Sequence, residues 1–241
     1  MRGVVQKIIR WLKAQLRDSG AKGVVLGLSG GVDSAVAAAL LKKAIGKKKV
    51  LGLILPCRSQ ARDLKDARLF AKKLGIKTRV IDLSEIYDSL LKALPRAGLL
   101  TKANLKPRLR MSVLYYFANE YNYLVCGTGN KSELSVGYFT KHGDGATDIL
   151  PIGDLLKKEV RALAQELHVP QSIIAKPPSA GLWQGQTDEG EMGMSYSELD
   201  DILERIAKNR KQALSTAKVK RVKAMSKRSE HKRQGPKICY I

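Results

Sequence analysis

The run Ser29-Gly30-Gly31-Val32-Asp33-Ser34 carries the clearest chemical signal in this 241-residue chain. Adjacent glycines let a backbone turn tightly and present consecutive N–H groups. The start of a following helix adds positive field, and the combination suits a phosphate. The hydroxyls of Ser29 and Ser34 can donate to phosphate oxygens. Asp33 repels a phosphate unless a cation lies between them, so a Mg²⁺ ligand is its natural role. The plainer alternative is a glycine turn with Asp33 capping the helix. Two other phosphate loops are excluded by spelling, because neither Gly-Lys-Ser/Thr nor G-x-G-x-x-G occurs in the chain.

The elements that must position this loop are legible around it. GVVLGLSGG (23–31) is a β-rich run ending in glycines, and AVAAALLKKAI after it is helical. Residues 49–56 and 77–83 read as second and third strands, with a helix over 60–74 closed by Gly75 between them. Helical segments near 84–94 and 104–121 lead to a fourth strand at 123–128. Strands alternating with helices of about a dozen residues predict an α/β fold with a doubly wound parallel sheet flanked by helices. The phosphate loop then lies at the carboxyl end of the first core strand, where open α/β sheets bind ligands. Glycine-dense residues 127–153 predict a long loop with a function. Helices are expected at 154–168 and 196–229, separated by a second loop over 176–193, which makes the C-terminal region helical. Val5, Ile8, Ile9, Leu12 and Leu16 stand at helical spacing near the N-terminus and predict a helix there, not a signal peptide.

The SGGVDS string resembles the signature of the ATP pyrophosphatase group, enzymes that split ATP between its α- and β-phosphates. Three longer strings resemble ammonia-dependent NAD synthetase over nearly the whole chain: NLKPRLRMSVLYYFA (104–118), GTGNKSELSVGYFTKHGDGATDILPIGDLLK (127–157) and KPPSAGLWQGQTDEGEMGMSY (176–196). The resemblance implies a single domain over 1–241 with an adenine nucleotide alpha-hydrolase-like fold and no glutaminase domain. It also implies the reaction. The nicotinate carboxylate of deamido-NAD attacks the α-phosphorus of ATP, pyrophosphate leaves, and ammonia displaces AMP to give NAD. A carboxylate is a poor electrophile for an amine, and adenylation supplies the leaving group; moving a phosphoryl group between anions needs metal and cationic clamps.

By the same resemblance ATP is bound by Gly27, Leu28, Ser29, Gly30, Gly31, Val32, Asp33, Ser34, Thr128, Lys157 and Ser179. Asp33 and Glu133 carry over as Mg²⁺ ligands, and Lys157 as the ATP phosphate contact. Arg108, Lys141, Asp148, His231 and Lys232 carry over to deamido-NAD, with Arg110, two residues on, as an alternative to Arg108. Asp144 lies between two glycines, where a turn-forming Asp is the plain reading; as a carboxylate near the adenylate it could attract ammonium and accept its proton. The chain departs from the family at Cys57-Arg58, where relatives are expected to carry an aromatic residue.

Composition sets the outer bounds. The chain has 44 Lys and Arg against 22 Asp and Glu, a formal charge of +22, and 44% hydrophobic residues, which is globular composition. No apolar run spans a bilayer, and three scattered cysteines build neither a disulfide scaffold nor a zinc ribbon. A soluble, cytoplasmic enzyme is expected, with free ammonia as its nitrogen source and no membrane partner. Basic residues crowd 201–241, 13 Lys and Arg against three acids, so either polyanions dock there or the tail closes over one. Two rivals share these features: a tRNA-modifying ATP pyrophosphatase, which a steep salt dependence of tRNA binding would reveal, and a non-catalytic nucleotide-binding module. Small polyanionic substrates, not nucleic acid, are the expected partners. The apolar residues of 111–126 (Val113, Leu114, Phe117, Leu124) and the first helix could bury against a second copy in a homodimer, or simply form core.

Overall fold

The computed structural model describes residues 1–183, 185–208 and 217–239. The Val- and Leu-rich runs form β1 (Gly23–Gly27), β2 (Val50–Ile54), β3 (Lys77–Val80) and β4 (Tyr123–Cys126). These four strands make one sheet in the order β3-β2-β1-β4, every pair parallel. The helices of the first half are α1 (Arg2–Asp18), α2 (Val32–Ile45), α3 (Ala61–Leu74), α4 (Ser84–Ala93), α5 (Leu99–Ala103) and α6 (Leu105–Tyr121). Those of the second half are α7 (Lys131–Val136), α8 (Lys157–Glu166), α9 (Gln171–Ile174), α10 (Asp188–Met192), α11 (Tyr196–Ala207) and α12 (Ala217–Arg228).

Alternation along the strands sends side chains to both faces. Val24, Leu26, Val50 and Ile54 pack into one cluster with α1, α2, α3 and α8, whereas Val25, Leu51 and Leu53 pack into another with α4 and α6. The expected doubly wound parallel sheet is therefore present. The apolar stripe of α1 is buried within its own chain, against α2. Burying a Leu or Ile side chain stabilises by about 1.5–3 kcal/mol, so five such residues fasten this helix firmly. Phe117 is likewise core, and Val113, Leu114 and Leu124 pack partly buried against the two clusters. A third cluster, built from α7, α10, α11 and α12, forms the helical C-terminal region.

Three expectations need correction. The 127–153 segment contains α7, because Asn130 and Glu133 form a capping box and Gly137 stops the helix with φ +68°. The 176–193 segment contains α10, capped by the Thr187 hydroxyl. The helices expected over 196–229 are present as α11 and α12, with residues 209–216 outside the described residues. The helix expected at 154–168 is shorter, α8. Its first turn is capped from elsewhere: Lys157 N donates to Ser132 Oγ at 2.9 Å and Lys158 N to Asp200 Oδ2 at 2.8 Å.

Candidate active site

Strand order reverses between β1 and β4, and at such a switch point the carboxyl ends of neighbouring strands open a crevice. The phosphate loop leaves β1 there, and Gly127-Thr128 leaves β4. Ser34 Oγ donates to Gly31 O at 3.0 Å, and Ser29 Oγ accepts from Gly31 N at 3.2 Å, so the two serines fold the loop onto itself. Gly30 has φ +80°, and a Cβ placed on it would lie 2.5 Å from Asp63 O. Only glycine fits there. Lys176 bolts this turn in place, donating to Gly30 O at 3.1 Å and to Asp63 Oδ1 at 2.9 Å while pairing with Asp66 at 2.5 Å.

Asp33, in the first turn of α2, does not cap that helix. Its Oδ1 accepts from Asn130 Nδ2 at 2.9 Å and its Oδ2 from Lys157 Nζ at 2.6 Å. Lys157 also donates to Glu133 Oε1 at 3.1 Å, so residues far apart in sequence converge as two carboxylates around one ammonium. Burial pushes the Glu133 carboxyl above the ordinary range against the pull of Lys157. For Lys157, burial disfavours the charge, but Asp33 and Glu133 outweigh it and raise the pKa. Two carboxylates facing a phosphate loop are a donor set suited to Mg²⁺, which usually takes one or two carboxylates and fills its shell with water and substrate phosphates.

These residues line a cavity of about 770 Å³, within the usual size of small-molecule sites. Gly27, Leu28, Ser29, Gly31, Val32 and Ser34 border it, as do Thr128 and Ser179. Gly30 sits behind the loop and not on the wall. The Ser179 hydroxyl donates to Gln186 O at 2.7 Å, holding its own segment closed. Asp144 lines the cavity and accepts from Thr140 N at 2.8 Å. Desolvation by the surrounding protein raises its pKa, opposed by that hydrogen bond and by Arg110 and Lys232. His231 and Lys232 reach the same cavity from the tail, with Lys232 Nζ donating to Gly137 O and Phe139 O at 2.8 Å each.

Three expected substrate contacts are not brought onto the wall. Arg108 donates to Lys141 O at 3.4 Å, beside the lining residues Pro107 and Thr140. Asp148 has both oxygens occupied, by Val125 N at 2.7 Å and by Tyr115 Oη at 3.0 Å, and so ties the 127–153 segment to β4 and α6. Arg110, by contrast, lines the cavity, donating to Leu55 O at 3.0 Å and Ser59 Oγ at 3.3 Å. Neither Cys57 nor Arg58 borders the cavity; Cys57 is buried and Arg58 pairs with Asp88.

Comparison with known proteins decides what this arrangement belongs to. The NAD synthase family model matches residues 4–236. The chain belongs to the NAD synthase family. As a member it is an enzyme, an ATP-dependent ligase. It is 48% identical over 238 residues to the NH(3)-dependent NAD(+) synthetase of Carboxydothermus hydrogenoformans, covering 97% of this chain and 95% of that protein. Among solved structures it is similar to an NMN synthetase from Francisella tularensis, with TM-score 0.91 and 42% identity over 100% of this chain and 98% of that one. It is also similar to the NH3-dependent NAD synthetase of Campylobacter jejuni in complex with nitrate, with TM-score 0.87 and 32% identity over 99% and 98% of the two chains.

Several residues that hold the cavity-lining groups in place escape a reading of the sequence. Asn130 orients both Asp33 and Glu133, and the spelling Asn-x-x-Glu was a legible capping signal. Tyr196 Oη lies 3.2 Å from Glu133 Oε1 and 3.0 Å from Asp188 Oδ2, linking the carboxylate pair to the 176–193 segment. Lys106 is buried and donates to Leu182 O at 2.6 Å, holding the same segment from α6. No local signal in the sequence marks Tyr196, Lys106 or Lys176 for these contacts.

Proposed function

We propose that this enzyme adenylates the nicotinate carboxylate of deamido-NAD with ATP and aminates the adenylate with free ammonia, giving NAD, AMP and pyrophosphate. The observation that carries this reading is the shared cavity: phosphate loop, carboxylate pair, Asp144 and two basic tail residues all border it. The loop N–H groups and the α2 N-terminus receive the triphosphate, and Thr128 and Ser179 border the nucleotide on the remaining sides. Asp33 and Glu133 would hold Mg²⁺, which supplies charge neutralisation to the transferring phosphoryl group. Asp144 attracts ammonium and takes its proton, releasing the lone pair that attacks the adenylate. Arg108 and Lys141 receive the part of deamido-NAD that extends past the wall, with Asp148 holding the 127–153 segment to β4 and α6 and with His231 and Lys232 closing over the substrate from the tail.

Large apolar side chains remain exposed on α5 and α6 and at the end of α4: Leu94, Leu99, Leu100 and Tyr116, the last 66% exposed. These exposed side chains support a homodimer. Among the described residues no helix is long and apolar enough to cross a membrane.

The test is incubation with deamido-NAD, ATP, Mg²⁺ and ammonium, following AMP and NAD together, with glutamine replacing ammonium in a second arm. Equal amounts of AMP and NAD, with ammonium only, are expected; ADP and orthophosphate would overturn the reading. The Francisella neighbour, named an NMN synthetase, favours a second reading in which the mononucleotide is the acid amidated. Comparing kcat/KM for nicotinate mononucleotide and deamido-NAD decides between them.

A further inference from the structure

The carboxylate pair facing the phosphate loop already holds a cation of the chain's own. Asp33 Oδ1 is taken by Asn130 Nδ2, and Glu133 Oε2 by Asn130 N at 3.2 Å. The remaining oxygens, Asp33 Oδ2 and Glu133 Oε1, are the two that hold Lys157 Nζ. A metal bridging the pair must share those oxygens with an ammonium, and like charges on shared oxygens repel.

Lys157 is equally engaged. Its side chain is 2% exposed, two of its three N–H bonds meet carboxylates, and the Tyr196 ring centroid lies 4.7 Å from Nζ. It cannot grip a phosphate and keep these partners. Its backbone is fixed at the head of α8 by Ser132, so a change of partner needs only the side chain to swing.

We propose that Lys157 is a resident counter-ion for Asp33 and Glu133, so that the divalent cation enters only together with the triphosphate that draws the ammonium away. This rests on the reading of that pair as the metal site. Two carboxylates left without a cation in a desolvated wall are strongly disfavoured. Lys157 supplies that charge at rest. The triphosphate gives the ammonium new anionic partners and gives the metal the oxygens the pair lacks. Metal and nucleotide therefore load in one concerted exchange, in which the carboxylate pair is never left without a cation.

The exchange is tested by Mn²⁺ binding, read from the electron paramagnetic resonance of free Mn²⁺, with α,β-methylene-ATP as an uncleavable nucleotide. The unaltered enzyme should bind Mn²⁺ alone at least tenfold more weakly than with the analogue, after correction for Mn²⁺ held by the analogue in solution. Lys157→Met should bind Mn²⁺ alone at least tenfold more tightly than the unaltered enzyme, and Lys158→Met, which removes a neighbouring exposed charge, should not. Equal affinities of the unaltered and Lys157→Met proteins, or an equal gain from Lys158→Met, overturn the exchange. Adding Asp33→Asn to Lys157→Met separates the two ideas: if tight binding persists, the pair is not the metal site, and the reading beneath the proposal fails. Should Lys157→Met not fold, the Lys157 ammonium signal in ¹⁵N NMR of the unaltered enzyme serves. It should shift with Mg²⁺ plus the analogue and hold with Mg²⁺ alone, and a complete shift with Mg²⁺ alone overturns the exchange.

Discussion

Asp144 shows how much one side chain's setting matters. A carboxylate that accepts a proton from ammonium works only when ionised, and desolvation raises its pKa above that of an ordinary aspartate. Activity is therefore present above that raised pKa and lost as pH falls through it. Asp144→Asn should slow NAD formation by about 10²–10⁴-fold, the usual reach of general base catalysis, while exchange of pyrophosphate into ATP persists. The acid limb of the kcat profile should vanish with it. An unchanged dependence of rate on ammonia in the variant would refute the role. The local sequence, a Gly-Asp-Gly turn, is compatible with both a turn former and a base; the bond from Thr140 N suits the first role and the place on the cavity wall suits the second.

At the scale of elements, the placement of Lys157 depends on how α8 begins. Asp200, fully buried on α11, accepts from Ser132 Oγ at 2.5 Å and from Lys158 N at 2.8 Å, and Ser132 in turn accepts from Lys157 N. Three elements, α7, α8 and α11, meet at this one carboxylate. Asp200→Ala leaves a buried N–H and hydroxyl without their acceptor, which costs about 1–3 kcal/mol. For a domain of this size Tm should fall by about 2–4 °C per kcal/mol, measurable by calorimetry. The KM for ATP should rise as well, because Lys157 loses its fixed starting point. A variant with unaltered Tm and KM would show that α8 does not need this cap. The hydrophobic spacing of α8 and the local reach of Glu159 back to Leu156 N at 2.7 Å were legible in the sequence; the acceptors of Lys157 N and Lys158 N were not, because they come from residues 25 and 42 positions away.

For the whole molecule, the exposed apolar side chains of α5 and α6 set the expected assembly. Leu99→Glu combined with Tyr116→Glu should convert a dimer to a monomer in sedimentation velocity, with little loss of stability because both positions are exposed. A monomeric unaltered protein at micromolar concentration would sink the dimer. The apolar residues first considered for that role, Phe117 and the α1 stripe, are instead core. An amphipathic pattern states that a face is buried without stating by what. Alternating strands and helices, the SGGVDS loop and its position at a strand end followed from the sequence alone, since periodicity and backbone freedom are local properties. The union of Asp33 with Glu133 and Lys157, the capture of Asp148 by Val125 and Tyr115, and the reach of the tail to the cavity depended on tertiary structure. These are contacts between distant segments, fixed by which strand lies beside which and by which donors the fold brings to each carboxylate.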